Sequence, residues 1–157
     1  MLLRTLAVMT AVLAPALAAA QEARAPLDAC ALLREADALV LLPGTKRVTR
    51  TTTSDGAQGR ESSACIYADA ADPGRTVALS VQRFPATVPN EVGLALFSDY
   101  ELEPVDGVGN GALWKPSTGT LIMVVDPDFI TLTVTRTDPP TTMTEVRGIM
   151  KKVYARR

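Results

Sequence analysis

The chain has 157 residues, with 16 Lys+Arg against 17 Asp+Glu, two cysteines, one tryptophan and no histidine. That length suits one domain plus a removable segment, and a formal charge of −1 gives no overall basic footprint for nucleic acid. Without histidine, Ser-His-Asp, Cys-His, H-E-x-x-H and facial-triad sites are excluded by composition, and so is the commonest metal ligand.

Residues 1–20 have the pattern of a secretory signal. Arg4 is the charged start, residues 5–17 are free of charge and mostly apolar, and Ala18 to Ala20 supply small residues for cleavage. Cleavage is expected after Ala20, with Ala18 or Ala25 as alternatives, and removal of Arg4 takes the formal charge from −1 to −2. The apolar run is short for a membrane span and Pro15 interrupts it. No cysteine stands at the cleavage site, which argues against a lipid anchor, and no later stretch is apolar enough to form an integral span. The predicted location is periplasmic or secreted.

Residues 21–27 read as a flexible leader and 28–157 as the folded domain. Asp28 is placed to N-cap a helix that runs through 29–34 and on to 42. Cys30, Leu33, Asp37, Val40 and Leu41 share one face at helical spacing, Asp37 being its polar exception. Pro43-Gly44 stops the helix. Residues 45–53, rich in Thr and Val, predict a strand with Lys46, Arg47 and Arg50 toward water or at its edge. A polar loop over 54–62 follows, then a short strand over 63–69. Asp72-Pro73-Gly74 predicts a turn, and 76–84 alternates as a half-buried strand with Val77, Leu79 and Val81 on one side.

Residues 89–98 read as a middle helix, weakened at Gly93. Strands are predicted over 112–115, 120–125 and 129–136, with turns at 116–119 and at Asp126-Pro127-Asp128. The C-terminal helix over 142–154 places Met143, Val146, Ile149, Met150 and Val153 on one stripe. Lys151, Lys152, Arg156 and Arg157 crowd its C-terminal end, where positive charge suits the helix dipole. The expected fold is α+β. A single antiparallel sheet of about six strands is packed by an N-terminal, a middle and a C-terminal helix.

Cys30 and Cys65 are an even count in a chain with an export signal. They predict a structural disulfide rather than a redox pair, which usually sits close together as C-x-x-C. The glycines of 107–111 do not predict a nucleotide site, because the segment after them reads as strand and not helix. A turn needing positive φ accounts for them better. The surrounding residues Asp106, Gly107, Gly109, Asn110, Gly111 and Trp114 form the candidate binding loop.

Asp99, Glu101, Glu103 and Asp106 fit no calcium loop and read as a solvated face, so no metal is expected. Asp126 and Asp128 would serve acid/base chemistry only if they shared a pocket with separated pKa values, and Asp-Pro-Asp suits a turn for backbone reasons alone. No Ser-x-x-Lys occurs. Trp114, Tyr67, Phe84 and Tyr100 belong by default to the core. No catalytic residue and no cofactor is assigned.

Three segments stand in a fixed order: Asp28-Ala29-Cys30-Ala31-Leu32-Leu33, Ser63-Ala64-Cys65-Ile66-Tyr67, and Val105-Asp106-Gly107-Val108-Gly109-Asn110-Gly111-Ala112-Leu113-Trp114. With the long helix that follows, the chain resembles a large family of small exported bacterial domains of unknown function, many of them lipoproteins. Its members carry D-x-C-x-L-L, S-x-C-x-Y and V-x-G-V-G-x-x-A-x-W. The resemblance implies that Cys30 and Cys65 are bonded and that the fold is similar to the Mog1/PsbP-like group. This chain departs from many members in lacking a lipobox. The family supplies no catalytic residues.

The leading expectation is an exported, non-catalytic binding or accessory domain whose partner is an unknown protein or small ligand in the envelope, with no nucleic acid. Two alternatives stand beside it. One is a histidine-free hydrolase or lyase using Asp126, Asp128, Glu101 or Asp106; the other is a structural subunit of an envelope complex.

Overall fold

The structure is a computed structural model that describes residues 27–57, 60–83 and 101–157. Its helices are α1 (Ala29–Leu32), α2 (Glu35–Leu41) and α3 (Met143–Ala155). Its strands are β1 (Val48–Ala57), β2 (Arg60–Asp69), β3 (Thr76–Arg83), β4 (Glu103–Pro104), β5 (Gly111–Lys115), β6 (Thr120–Val125) and β7 (Asp128–Thr135). They form one seven-stranded sheet in the order β1-β2-β3-β7-β6-β5-β4, and every neighbouring pair is antiparallel. The α+β class and the single antiparallel sheet agree with the sequence. The middle helix expected over 89–98 lies outside the described residues, as do the signal segment and most of the leader.

The N-terminal helix is two short helices rather than one. Asp28 caps α1 by accepting from the amides of Cys30 at 2.9 Å and Ala31 at 3.1 Å. The backbone turns extended at Leu33 and Arg34, and α2 starts afresh with Asp37 accepting from the Arg34 amide at 3.2 Å. The break rotates the expected apolar face. Ala29, Leu33, Ala38, Leu41 and Leu42 enter the core, Val40 is 57% exposed, and Asp37 is buried.

The Cys30–Cys65 disulfide joins α1 to β2 across a Cα separation of 5.0 Å. Two hydrogen bonds flank it: Ala29 N donates to Ser63 Oγ at 3.0 Å, and the Tyr67 hydroxyl donates to the Leu33 carbonyl at 3.3 Å.

Most of the polar loop expected over 54–62 is strand. β1 runs to Ala57 and β2 begins at Arg60, in continuous register from Val48↔Asp69 to Ala57↔Arg60. From Thr49 to Gly56, β1 is exposed throughout. An edge strand that is wet on both faces needs no hydrophobic alternation, so while the Thr-rich start of β1 reads as strand, its Ser54-Asp55-Gly56 end imitates a loop.

The alternation of 76–84 does mark β3. Val77, Leu79 and Val81 face the helices beside Val134, Leu132 and Ile130 of β7. Leu121 and Met123 continue this face on β6, and Ala112 and Trp114 on β5. Ile122, Val124 and Phe129 are buried on the opposite face, where the neighbours on β2, β3 and β7 are mainly Ala, Ser and Thr.

α3 closes the helical layer. Thr142 and Glu145 form a reciprocal capping box at its start. Val146, Ile149, Met150 and Val153 are buried, each contributing about 1.5–3 kcal/mol of hydrophobic stabilisation. Arg136, just past β7, has a side chain with 0% exposure. It donates to the Leu41 carbonyl at 2.6 Å and to Glu145 at 2.7 Å, and so ties the end of α2 to the start of α3.

Candidate functional site

The loop over 105–110 runs between β4 and β5 and is pinned at both ends. Val105 N donates to the Ala112 carbonyl and Asn110 N to the Val124 carbonyl, each at 2.9 Å. Val105 and Val108 are buried and serve as its apolar anchors, whereas Asp106, Gly107 and Asn110 are exposed.

Two glycines set its path, with φ of +71° at Gly107 and +59° at Gly109. These left-handed values favour glycine. At Gly109 there is also no room for a side chain, because a Cβ would stand 2.6 Å from Met123 Cγ and 2.7 Å from the Val124 carbonyl oxygen. Gly111 opens β5 with open space around it. Trp114 is 4% exposed and belongs to the core on the helical face of β5, away from the loop's outer surface. Of the six candidate loop residues, Asp106, Gly107 and Asn110 are exposed, Gly109 and Gly111 are partly so, and Trp114 is buried.

Two cations that the sequence reading did not assign to the site meet this loop: Lys151, read only as a charge at the helix end, and Arg147, which was not singled out. A Cβ on Gly107 would lie 3.5 Å from Arg147 Nη2 and 3.9 Å from Lys151 Nζ, both on α3. Neither Arg147 nor Lys151 has an ion pair or side-chain hydrogen bond among the described residues, and Arg147 Nε is shielded from solvent without an acceptor. The detectable signal was their i,i+4 spacing, which sets two like charges side by side on a helix.

The carboxylates sort differently. Asp128 is 1% exposed and receives Arg83 at 2.9 Å and Arg157 at 3.0 Å, while Asp126 is exposed. The Asp128 carboxylate in turn raises the pKa of Arg83, against the opposing effect of burial. Burial disfavours the charged form of Asp37. The Arg156 hydrogen bond, the Arg34 amide and the charges of Arg156 and Lys152 outweigh it, holding the carboxyl below its ordinary value. Asp69 is lowered chiefly by the Thr45 hydroxyl, at 2.6 Å, and then by the Ala71 amide. Glu101, Glu103 and Asp106 are exposed, and no cluster of three metal-ligating side chains occurs among the described residues.

A cleft of about 210 Å³ lies beside α1, bordered by Arg83, Asp128, Arg156 and Arg157, whose charges are already engaged in ion pairs. Among the described residues no helix is long and apolar enough to cross a membrane. In comparisons with known proteins, the chain matches no family model, no curated protein and no solved structure.

Proposed function

We propose that the protein is an exported, non-catalytic binding or accessory domain of the bacterial envelope, working in the periplasm or after secretion once residues 1–20 are removed. The observation that carries the binding reading is the exposed turn over 106–110. It is pinned at both ends and overlooked by two cations that have no partner within the described protein. Rigid scaffolds that present a fixed loop are the usual setting for recognition.

Two further features support the reading. The Cys30–Cys65 disulfide suits an oxidising compartment. The buried carboxylates of Asp37, Asp69 and Asp128 are occupied by arginine partners that hold elements together, which is a structural use of charge and not an acid/base one.

Native mass spectrometry of protein purified gently from its own periplasm tests the proposal. The expected species begins at Gln21, carries one intramolecular disulfide, and is accompanied by a reproducible added mass or a heavier hetero-complex. A chain that retains Met1 overturns export. A bare monomer in every preparation overturns the binding role.

A further inference from the structure

We infer that Gly107, Arg147 and Lys151 form a binding site for a phosphate-type oxyanion; the inference rests on the binding-domain reading and gives that surface a ligand class. Three observations bear on this turn. The tips of Arg147 and Lys151 stand 3.5 and 3.9 Å from the point where a Gly107 side chain would begin. Both cations lack an acidic partner among the described residues, in a chain whose formal charge is −1. The backbone amides from Asp106 to Gly109 donate to no acceptor among the described residues.

Holding the two cations together is unfavourable in itself. Like charges at i,i+4 on a helix repel, and neither cation forms an ion pair among the described residues. An anion seated over Gly107 would relieve it. Guanidinium offers a planar fork and ammonium a compact charge, and free amides in a positive-φ turn make an anion-binding concavity. That donor set matches an ion with several charged oxygens better than a single carboxylate. Asp106 is the local opposing charge; it is exposed and makes no ion pair with either cation.

The phosphoryl group could be free in solution or carried by a lipid headgroup, and one set of titrations separates these sources. Disulfide-bonded protein is titrated with pyrophosphate while backbone amide resonances are followed. It is then floated with vesicles of phosphatidylglycerol or of phosphatidylcholine. Saturable shifts at Gly107 and Gly109 are expected, weakened at least tenfold in both R147Q and K151Q and strengthened in D106N.

Shifts without vesicle capture assign a soluble source. Capture by phosphatidylglycerol alone, competed by pyrophosphate, assigns a lipid phosphate. Lys151 is exposed and makes no ion pair among the described residues, so K151Q should melt no lower than the parent, and a loss of binding in it is not a loss of fold. Absence of saturable shifts, or shifts that K151Q leaves intact, overturns the site. Either result is independent of whether a partner co-purifies, which tests the broader binding role separately.

Discussion

Asp37 of α2 and Arg156, just beyond α3, form an ion pair between residues 119 positions apart in the chain. The same guanidinium donates to the Leu32 carbonyl at 2.8 Å, so it holds the last residue of α1 and the first turn of α2 at the point where the N-terminal helix breaks. Asp37 is buried while Arg156 keeps partial contact with water. Replacing Asp37 with Ala leaves a half-buried cation and an uncapped helix start. The expected loss is about 2–4 kcal/mol, below the figure for a fully buried pair because Arg156 is partly solvated. Denaturant unfolding of D37A, R156A and the double variant checks this. The double variant should lose less than the two single losses combined. Strict additivity would mean that the two residues act separately.

Acid should unfold the protein through its depressed carboxyls. Asp37, Asp69 and Glu145 all have pKa values below the ordinary 3.8 and 4.5. At Glu145, burial works against the charge, and the hydrogen bonds from Arg136 and Thr142 more than offset it. The unfolded chain takes up these protons at the ordinary values, and the folded chain only at lower pH. The unfolded state therefore binds more protons over that interval, and stability rises with pH through it. The contribution is complete at pH values above the ordinary carboxyl range and is lost as pH falls through the lower, folded values. Chemical denaturation from pH 3 to pH 7 should show this slope, and D37N should flatten it. A curve for D37N parallel to that of the parent would remove Asp37 from the account.

The glycines should separate cleanly by substitution. Gly109→Ala forces a Cβ against Met123 and the Val124 carbonyl at positive φ, and should cost about 2–4 kcal/mol. Gly148 lies exposed inside α3 with nothing within 4 Å of a would-be Cβ. Gly148→Ala should stabilise the protein by about 0.5–1 kcal/mol through helix propensity and a less flexible unfolded chain. Thermal melts of the two variants should move in opposite directions. A tolerated Gly109→Ala would mean that the loop relaxes away from β6.

The parts of the fold that were readable are those where burial imposes a period. The alternation of Val77, Leu79 and Val81, and the stripe from Val146 to Val153, each face the core and bound their elements to within a few residues. The start of β1 was readable from its Thr and Val content, but its end over 54–57 was taken for loop because water wets both faces and no alternation marks it, and the two-residue β4 is too short to show any pattern. Asp37 looked like a flaw in an apolar helix face because its partner Arg156 is remote in sequence. The glycine turn was visible from residue type alone, since positive φ favours glycine. Its charge environment was not, because Arg147 and Lys151 reach it only when α3 packs beside the loop.

The disulfide should be a large but not indispensable share of stability. It closes a sequence separation of 35 residues, for which loop-closure entropy gives about 4 kcal/mol, an upper figure if the unfolded chain keeps any structure. α1 has other ties to β2, because Ser63 still accepts from Ala29 and Tyr67 still donates to Leu33 when the bridge is gone. Cys30→Ser should therefore fold, with stability lower by about 2–4 kcal/mol and a melting temperature lower by about 10 °C. Denatured parent protein should present no free thiol until reduced and two afterwards. An unchanged melting curve for Cys30→Ser would mean that the hydrogen bonds of Ser63 and Tyr67 hold α1 by themselves and that the bridge adds nothing to folding.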